Sequence, residues 1–191
     1  MQSHRHPWLP IGLAAVVVAC VALLFSPSVR YDYIDFDDPG YTYENAAVLS
    51  GLSADGVRYA FGGTKSLSIW FPLTVLSYML DVECGGASAA TFHLSSVLWH
   101  LLATVSLYFL LAEILRRRAA GDDSAAGVAV WLAAAVGAAF WAVHPQRIES
   151  VVWIASRKDL VSGCFAFVSM LCYLKADGWR RPYWLCLFFY L

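Results

Sequence analysis

Long apolar stretches are the feature that most constrains the fold of this chain. Residues 8–27 contain no charged side chain, and three further stretches at about 87–115, 127–144 and 159–175 are predominantly apolar. A helix needs about 20 apolar residues to cross a bilayer. Only 14% of the residues are charged, whereas a soluble domain usually has about 25%. This composition excludes a disordered chain, a basic nucleic-acid-binding protein and an ordinary soluble enzyme. It predicts an all-α polytopic membrane protein.

The apolar stretches predict about four complete transmembrane helices and part of a fifth. A signal peptide is the alternative for the first, but Ser26-Pro27-Ser28 is a poor cleavage signal, which favours a membrane anchor. The third ends at His144-Pro145, because proline disfavours helix continuation. Residues 183–191 begin a fifth stretch that is too short to span. We therefore expect the chain to be the amino-terminal part of a longer protein.

Basic residues predict the orientation of these helices. Three groups of cations fall on one side if the spans alternate: Arg5; Arg116 to Arg118; and Lys175, Arg180 and Arg181. The positive-inside rule makes that side cytoplasmic. The amino terminus is then cytoplasmic, and the loops at about 28–87 and 144–159 are external.

The first external loop is acidic and contains the apolar stretch Ile69 to Leu80, which is too short to span a membrane. It predicts an interfacial helix, with Trp70, Phe71 and Tyr78 as anchors at the level of the lipid headgroups.

The spacing of the cysteines does not indicate a metal site. The chain has five cysteines, an odd number, and no CxxC pair, so neither a disulfide framework nor a zinc site is expected.

An acidic cluster, Asp35, Asp37 and Asp38, precedes Pro39-Gly40 in the first loop. Aspartate, proline and glycine are common in turns, and composition alone favours a simple turn. Alternatively, repulsion between neighbouring carboxylates raises one pKa and suits a general base. Ligation of a divalent cation is a third alternative.

The second loop combines cations and carboxylates that could bind a phosphate. Its polar residues are His144, Glu149, Arg157, Lys158 and Asp159. One interpretation is an interfacial charge belt satisfied by its own ion pairs. The other is a phosphate site, since arginine offers a planar fork and lysine a point charge.

Two histidines, His93 and His100, lie seven residues apart inside the second predicted span, on the helix face that also carries Ser96. Imidazoles facing lipid are unfavourable, so both should face the bundle interior. Packing and interhelical hydrogen bonds are favoured over catalysis. A metal site would need further ligands, and none is evident.

Four motifs in order resemble a known membrane family. They are Asp37-Asp38-Pro39-x-Tyr41-x-x-x-Asn45, Trp70-Phe71-Pro72-Leu73-Thr74-x-Leu76-Ser77-Tyr78-Met79-Leu80-Asp81, Phe92-His93-Leu94-x-x-x-Leu98-x-His100 and His144-Pro145-x-x-x-Glu149-Ser150-Val151-x-Trp153-x-x-x-Arg157-Lys158-Asp159. Together they are similar to the bacterial relatives of the transmembrane and tetratricopeptide-repeat O-mannosyltransferases, of the GT-C glycosyltransferase superfamily. The resemblance covers about residues 35–174, and it does not extend to the repeats.

The resemblance implies an inverting transfer of sugar from a polyprenyl-phosphate carrier to a hydroxyl of a protein or glycan, and protein O-mannosylation is one reaction of this kind. It implies that Asp37 or Asp38 is the general base, and that Arg157 and Lys158 stabilise the departing lipid phosphate. Glu149 and Asp159 would hold these cations. The bacterial inner membrane is the expected location, and membrane lipids are expected neighbours. No cofactor is identified from the sequence, a divalent cation is an alternative, and dependence on a metal is not determined by the sequence.

Two other functions are compatible with the sequence. A non-enzymatic membrane scaffold would carry protein-binding tetratricopeptide repeats beyond this part of the chain. A transporter is less favoured, because its spans should contain broken helices or ionisable residues at the midplane. Donor sugar, acceptor and oligomeric state are not determined by the sequence. The isolated part is expected to be inactive, because the cleft of such an enzyme is built from many helices.

Overall fold

The computed structural model describes residues 8–62, 69–119 and 126–176, and every regular element within these ranges is helical. The predicted stretch at 183–191 and the cations Arg5, Arg180 and Arg181 lie outside them. The α-helices are α1 (Leu9–Phe25), α2 (Asp38–Tyr41), α3 (Ala46–Leu49), α4 (Ala54–Gly62), α5 (Pro72–Gly85), α6 (Ala89–Arg118), α7 (Ala126–Ala142), α8 (Arg147–Val152) and α9 (Arg157–Lys175). Two 3₁₀ turns, Ser26–Arg30 and Ile154–Ser156, follow α1 and precede α9.

Among the described residues, two helical segments are long and apolar enough to cross a membrane. They are Leu9–Arg30, with 22 residues, and Ala89–Arg118, with 30. Helix α7 is apolar but has only 17 residues. Helix α9 begins with three charged residues, so its uncharged part is shorter than the about 20 residues that a span requires. The fold is helical as predicted, and the number of spans beyond two stays a prediction.

The chain divides into two compact units. The described parts of residues 1–24, 100–144 and 162–191 form one, here called the helical unit. Residues 25–99 and 145–161 form the other, here called the loop unit.

Within the helical unit, polar contacts join α6 to its neighbours. The Tyr108 hydroxyl donates to the Pro10 carbonyl oxygen at 2.9 Å. His100 Nε2 lies 3.0 Å from the Ala142 carbonyl oxygen. Buried alanines, among them Ala103 and Ala138, allow close approach of the backbones.

The core of the loop unit surrounds α5, which begins at Pro72. Proline suits the first turn of a helix because its missing N–H would have no intrahelical acceptor there. Val75, Tyr78 and Met79 are almost completely buried and share this core with Phe92. The helix therefore supplies an interior face as well as a surface.

The prediction that Tyr78 anchors α5 at the membrane surface is wrong. Its ring is fully buried, and its hydroxyl donates to the Ile154 carbonyl oxygen at 2.7 Å. This partner is 76 residues away in the sequence, so local hydropathy could not reveal it. Phe71 is half-buried and stacks on Tyr41, whereas Trp70 is 62% exposed.

Candidate functional site

The acidic doublet lies at the start of α2, where its two carboxylates occupy different environments. Asp37 is the residue before the helix and is half-buried. Asp38 is the first helical residue and is fully buried. The adjacent Pro39 favours this short helix, because its fixed φ angle suits a first turn.

Asp38 uses both carboxylate oxygens to accept backbone hydrogen bonds. Oδ2 accepts from Ile34 N at 2.9 Å, and Oδ1 accepts from Ala155 N at 2.9 Å. The second bond joins the two predicted external loops across 117 residues of sequence. Hydrogen bonds to a charged acceptor are stronger than neutral ones, which offsets the burial of the carboxylate. Asp38 is thus a connection between loops.

Asp37 keeps its carboxylate oxygens available. Among the described residues, no donor forms a hydrogen bond with them. Burial and the neighbouring Asp37 charge raise the pKa of the Tyr41 hydroxyl. Of the two aspartates, Asp37 is therefore the one whose carboxylate is not used for hydrogen bonds within the described part of the chain.

Arg157 is a fully buried cation with acceptors on α5 and α6. Nη1 donates to Asp81 Oδ2 at 2.5 Å and to Ser77 Oγ at 3.3 Å. Nε donates to Ser96 Oγ at 3.1 Å, and Nη2 donates to the Phe92 carbonyl oxygen at 2.6 Å. These contacts enclose the guanidinium and direct its donors into the protein.

Aromatic rings complete this enclosure. The guanidinium carbon of Arg157 lies 4.4 Å from the centre of the Tyr78 ring and 5.8 Å from that of Phe92. A desolvated cation over an aromatic face is stabilised by the ring quadrupole. Burial raises the pKa of the Asp81 carboxyl, and the Arg157 charge partly offsets that rise.

Lys158, the next residue, is only half-buried. Its Nζ donates to the Ala155 carbonyl oxygen at 3.1 Å. An ammonium has three N–H donors, so two remain available for an anion in the part of the chain that the structure describes. Of the two adjacent cations, Arg157 is therefore bonded inside the protein, and Lys158 has N–H donors available.

The remaining residues predicted for the second loop lie in different parts of the structure. Glu149 is exposed on α8, and Asp159 is exposed at the start of α9, where its Oδ2 accepts from Ser150 Oγ at 3.4 Å. His144 belongs to the helical unit, where its ring contacts Phe140 edge to face. The carboxylate that pairs with Arg157 is Asp81, rather than either predicted partner.

The two histidines of α6 are buried and contact carbonyl oxygens of other segments. His93 Nε2 lies 3.4 Å from the Asp32 carbonyl oxygen. His100 contacts Ala142 and lies against the Trp141 ring. The preference for packing over catalysis at these two histidines stays a prediction. No group of three or more metal-ligating side chains occurs among the described residues.

Asp81, Ser77 and Tyr78 are site residues that sequence reasoning did not identify as partners of Arg157. One signal was present, since Asp81 follows an apolar stretch and a buried carboxylate requires a partner. The partner itself could not be chosen, because Arg157 lies 76 residues further along the chain.

Fold and site together define a class: a helical protein whose described part contains two segments long enough to span a membrane and a polar site built from two loops. No protein-family description matches the chain, and no solved structure matches it.

Curated relatives give a more specific result. Protein O-mannosyl-transferase Tmtc1 of Drosophila melanogaster is 33% identical over 175 residues, covering 85% of this chain and 18% of the relative. Protein O-mannosyl-transferase TMTC1 of Mus musculus is 26% identical over 88% of this chain and 17% of the relative. Protein O-mannosyl-transferase TMTC3 of the same species is 25% identical over 85% of this chain and 17% of the relative. The chain thus spans less than a fifth of these relatives, and its homologues are O-mannosyltransferases.

Proposed function

We propose that this chain contributes part of the membrane domain of an inverting glycosyltransferase. The enzyme would transfer a sugar from a polyprenyl-phosphate carrier to a hydroxyl at the external face, with protein O-mannosylation as the reaction. The similarity of most of the chain to O-mannosyltransferases carries this proposal. An available carboxylate in one loop and an available ammonium in the other support it. The bacterial inner membrane, with a cytoplasmic amino terminus, is the proposed location.

Asp37 is the proposed general base. A base must reach the proton that it removes, and the Asp37 carboxylate is accessible and unbonded among the described residues, whereas Asp38 is fully buried. Asp37 would take the proton of the acceptor hydroxyl while that oxygen bonds to the anomeric carbon. The bond from this carbon to the phosphate oxygen breaks, and its electron pair leaves with the lipid phosphate.

Lys158 is the proposed contact of the departing phosphate. Such a phosphate is already an anion, so it needs charge stabilisation more than protonation. Lys158 offers two donors, whereas Arg157 directs its donors to Asp81, Ser77, Ser96 and Phe92. Arg157 would then support the site from within the protein.

The test is sugar transfer by the complete gene product in native membranes. Replacing Asp37 by Asn removes the base but keeps its shape, and should lower kcat by at least about 100-fold, since general base catalysis typically contributes 10²–10⁴-fold. The control is Asp35→Asn at an exposed neighbouring carboxylate, which should leave transfer unchanged. Normal transfer in Asp37→Asn would refute the proposed base.

A non-enzymatic scaffold is the second candidate. The hydrogen bonds of Asp38 and Arg157 inside the protein favour a scaffold, because a structural role is enough to account for both residues. A scaffold predicts that Asp37→Asn and Lys158→Met leave the cellular function intact as long as the protein inserts. Loss of transfer in both variants, at normal protein levels, would exclude it.

A further inference from the structure

Three side chains form hydrogen bonds with the turn Ile154–Ser156, which precedes Lys158. Its Ala155 N–H donates to Asp38 Oδ1 at 2.9 Å. Its Ile154 carbonyl oxygen accepts from the Tyr78 hydroxyl at 2.7 Å. Its Ala155 carbonyl oxygen accepts from Lys158 Nζ at 3.1 Å. The same residue, Ala155, therefore contacts Asp38 through its N–H and Lys158 through its carbonyl.

The ammonium of Lys158 is oriented by this turn. Lysine is a flexible side chain whose charge can occupy many positions, so a fixed acceptor restricts where the charge lies. Ala155 is 1% exposed and its amide is bonded to a carboxylate, which makes it a rigid acceptor. On the other side, Arg157 is held by α5 and α6 and fixes the backbone next to Lys158.

We propose that Asp38 is a positioning residue, which acts through the turn Ile154–Ser156 to place the Lys158 ammonium at the phosphate of the lipid-linked donor. This inference rests on the proposed function. It gives the acidic doublet two roles: Asp37 acts on the acceptor hydroxyl, and Asp38 acts on donor binding through the second loop. A change at Asp38 should therefore alter the KM for donor, and a change at Asp37 should alter kcat.

The kinetic experiment compares Asp38→Asn, Lys158→Met and the double variant in the complete protein, with a polyprenyl-phosphate mannose as donor. Loss of one charge-assisted contact corresponds to about tenfold in affinity. Each single variant should raise the donor KM about tenfold while the pH profile of kcat is kept. Lys158→Met should also lower kcat, because the Lys158 charge would face the departing phosphate. The double variant should raise KM no further than Lys158→Met alone, because residues that act through one contact are not additive.

A second readout does not depend on sugar transfer. The acylation rate of Lys158 by a water-soluble amine reagent, measured by mass spectrometry, reports how firmly its ammonium is held. Asp38→Asn should increase this rate several-fold, and the exposed Asp35→Asn should not. The exposed Lys175 serves as the internal reference, since its rate should stay constant in a protein that remains folded.

The outcomes separate the two proposals. If Lys158→Met leaves the donor KM unchanged while Asp38→Asn still accelerates acylation, the phosphate role of Lys158 fails and the positioning contact stands. Additive effects on KM, or a changed pH profile of kcat in Asp38→Asn, would overturn the positioning role. If Asp38→Asn does not accumulate in membranes, Asp38→Glu keeps the charge with a displaced carboxylate. It should give a smaller rise in KM, and an unchanged KM would contradict the inference.

Discussion

Arg157 shows how a charge can be kept inside a helical protein. A buried guanidinium is unfavourable unless its donors find acceptors, and here two serine hydroxyls, a carbonyl oxygen and a carboxylate supply them. The acceptors come from α5 and α6, so the side chain joins three helices. At the scale of single residues, the loop unit is organised around this cation and around Asp38.

Replacing Arg157 by Met should destabilise the protein strongly. The variant leaves the Asp81 carboxylate buried without its cation, and breaking a buried pair costs about 3–5 kcal/mol. Unfolding in detergent by heat or denaturant measures the loss. The matched control is Arg58→Met, which breaks an exposed pair with Asp55 and should have little effect. A second replacement, Asp81→Leu, should restore part of the stability of Arg157→Met. Equal stability of Arg157→Met and the parent protein would contradict the proposed internal role.

Helices α3, α4 and α5 depend on specific residues at their connections. Asn45 caps α3 by accepting from Ala47 N at 3.1 Å and Val48 N at 3.3 Å. Between α3 and α4, Gly51 has a φ of 69°, a conformation that other residues rarely adopt. Beside it, Glu83 of α5 accepts from Leu52 N at 3.2 Å. The connection is therefore built by one glycine and one carboxylate.

Gly51→Ala should lower the free energy of unfolding. A left-handed conformation costs a residue with a Cβ about 1–2 kcal/mol, and the new methyl group would also collide with the Glu83 carboxylate. Gly62→Ala is the control, because its Cβ would meet open space at the end of α4. It should be neutral or stabilise by up to about 1 kcal/mol. Comparison of the two unfolding transitions checks the expectation, which fails if both variants behave alike.

At the scale of the whole molecule, the chain builds its loop unit from residues 25–99 and 145–161. The intervening residues belong to the helical unit. Folding of the loop unit thus requires contacts across long sequence separations, such as Asp38 with Ala155 and Arg157 with Asp81. The membrane topology proposed from the basic residues must place both loop segments on one face for these contacts to form.

Thiol labelling of intact cells can test that topology. Cys84 is an exposed free cysteine in the first loop, so a membrane-impermeant maleimide should label it from outside. In a Cys84→Ala background, Arg118→Cys introduces a thiol at the exposed end of α6, which the positive-inside rule places in the cytoplasm. It should be labelled only after permeabilisation. The opposite labelling pattern would reverse the proposed orientation.

Local patterns in the sequence were sufficient for the helical class and for the apolar segments. Their physical origin is the match between helix periodicity, apolar side chains and the thickness of a bilayer, which neighbouring residues determine. The same patterns identified both polar doublets. They could not separate Asp37 from Asp38 or Arg157 from Lys158, because adjacent residues of one type carry the same local signal.

The tertiary structure made those distinctions through contacts between distant segments. Asp38 became internal because Ala155 N lies 117 residues away in sequence and next to it in space. Tyr78, which the sequence predicts to be a surface anchor, lies in the core, where its hydroxyl donates to the Ile154 carbonyl oxygen. Arg157 became internal because Asp81 could offer a buried carboxylate. The sequence determined which segments are helical and which residues have reactive or charged groups. Burial, which depends on the whole fold, decided which of those groups remain accessible.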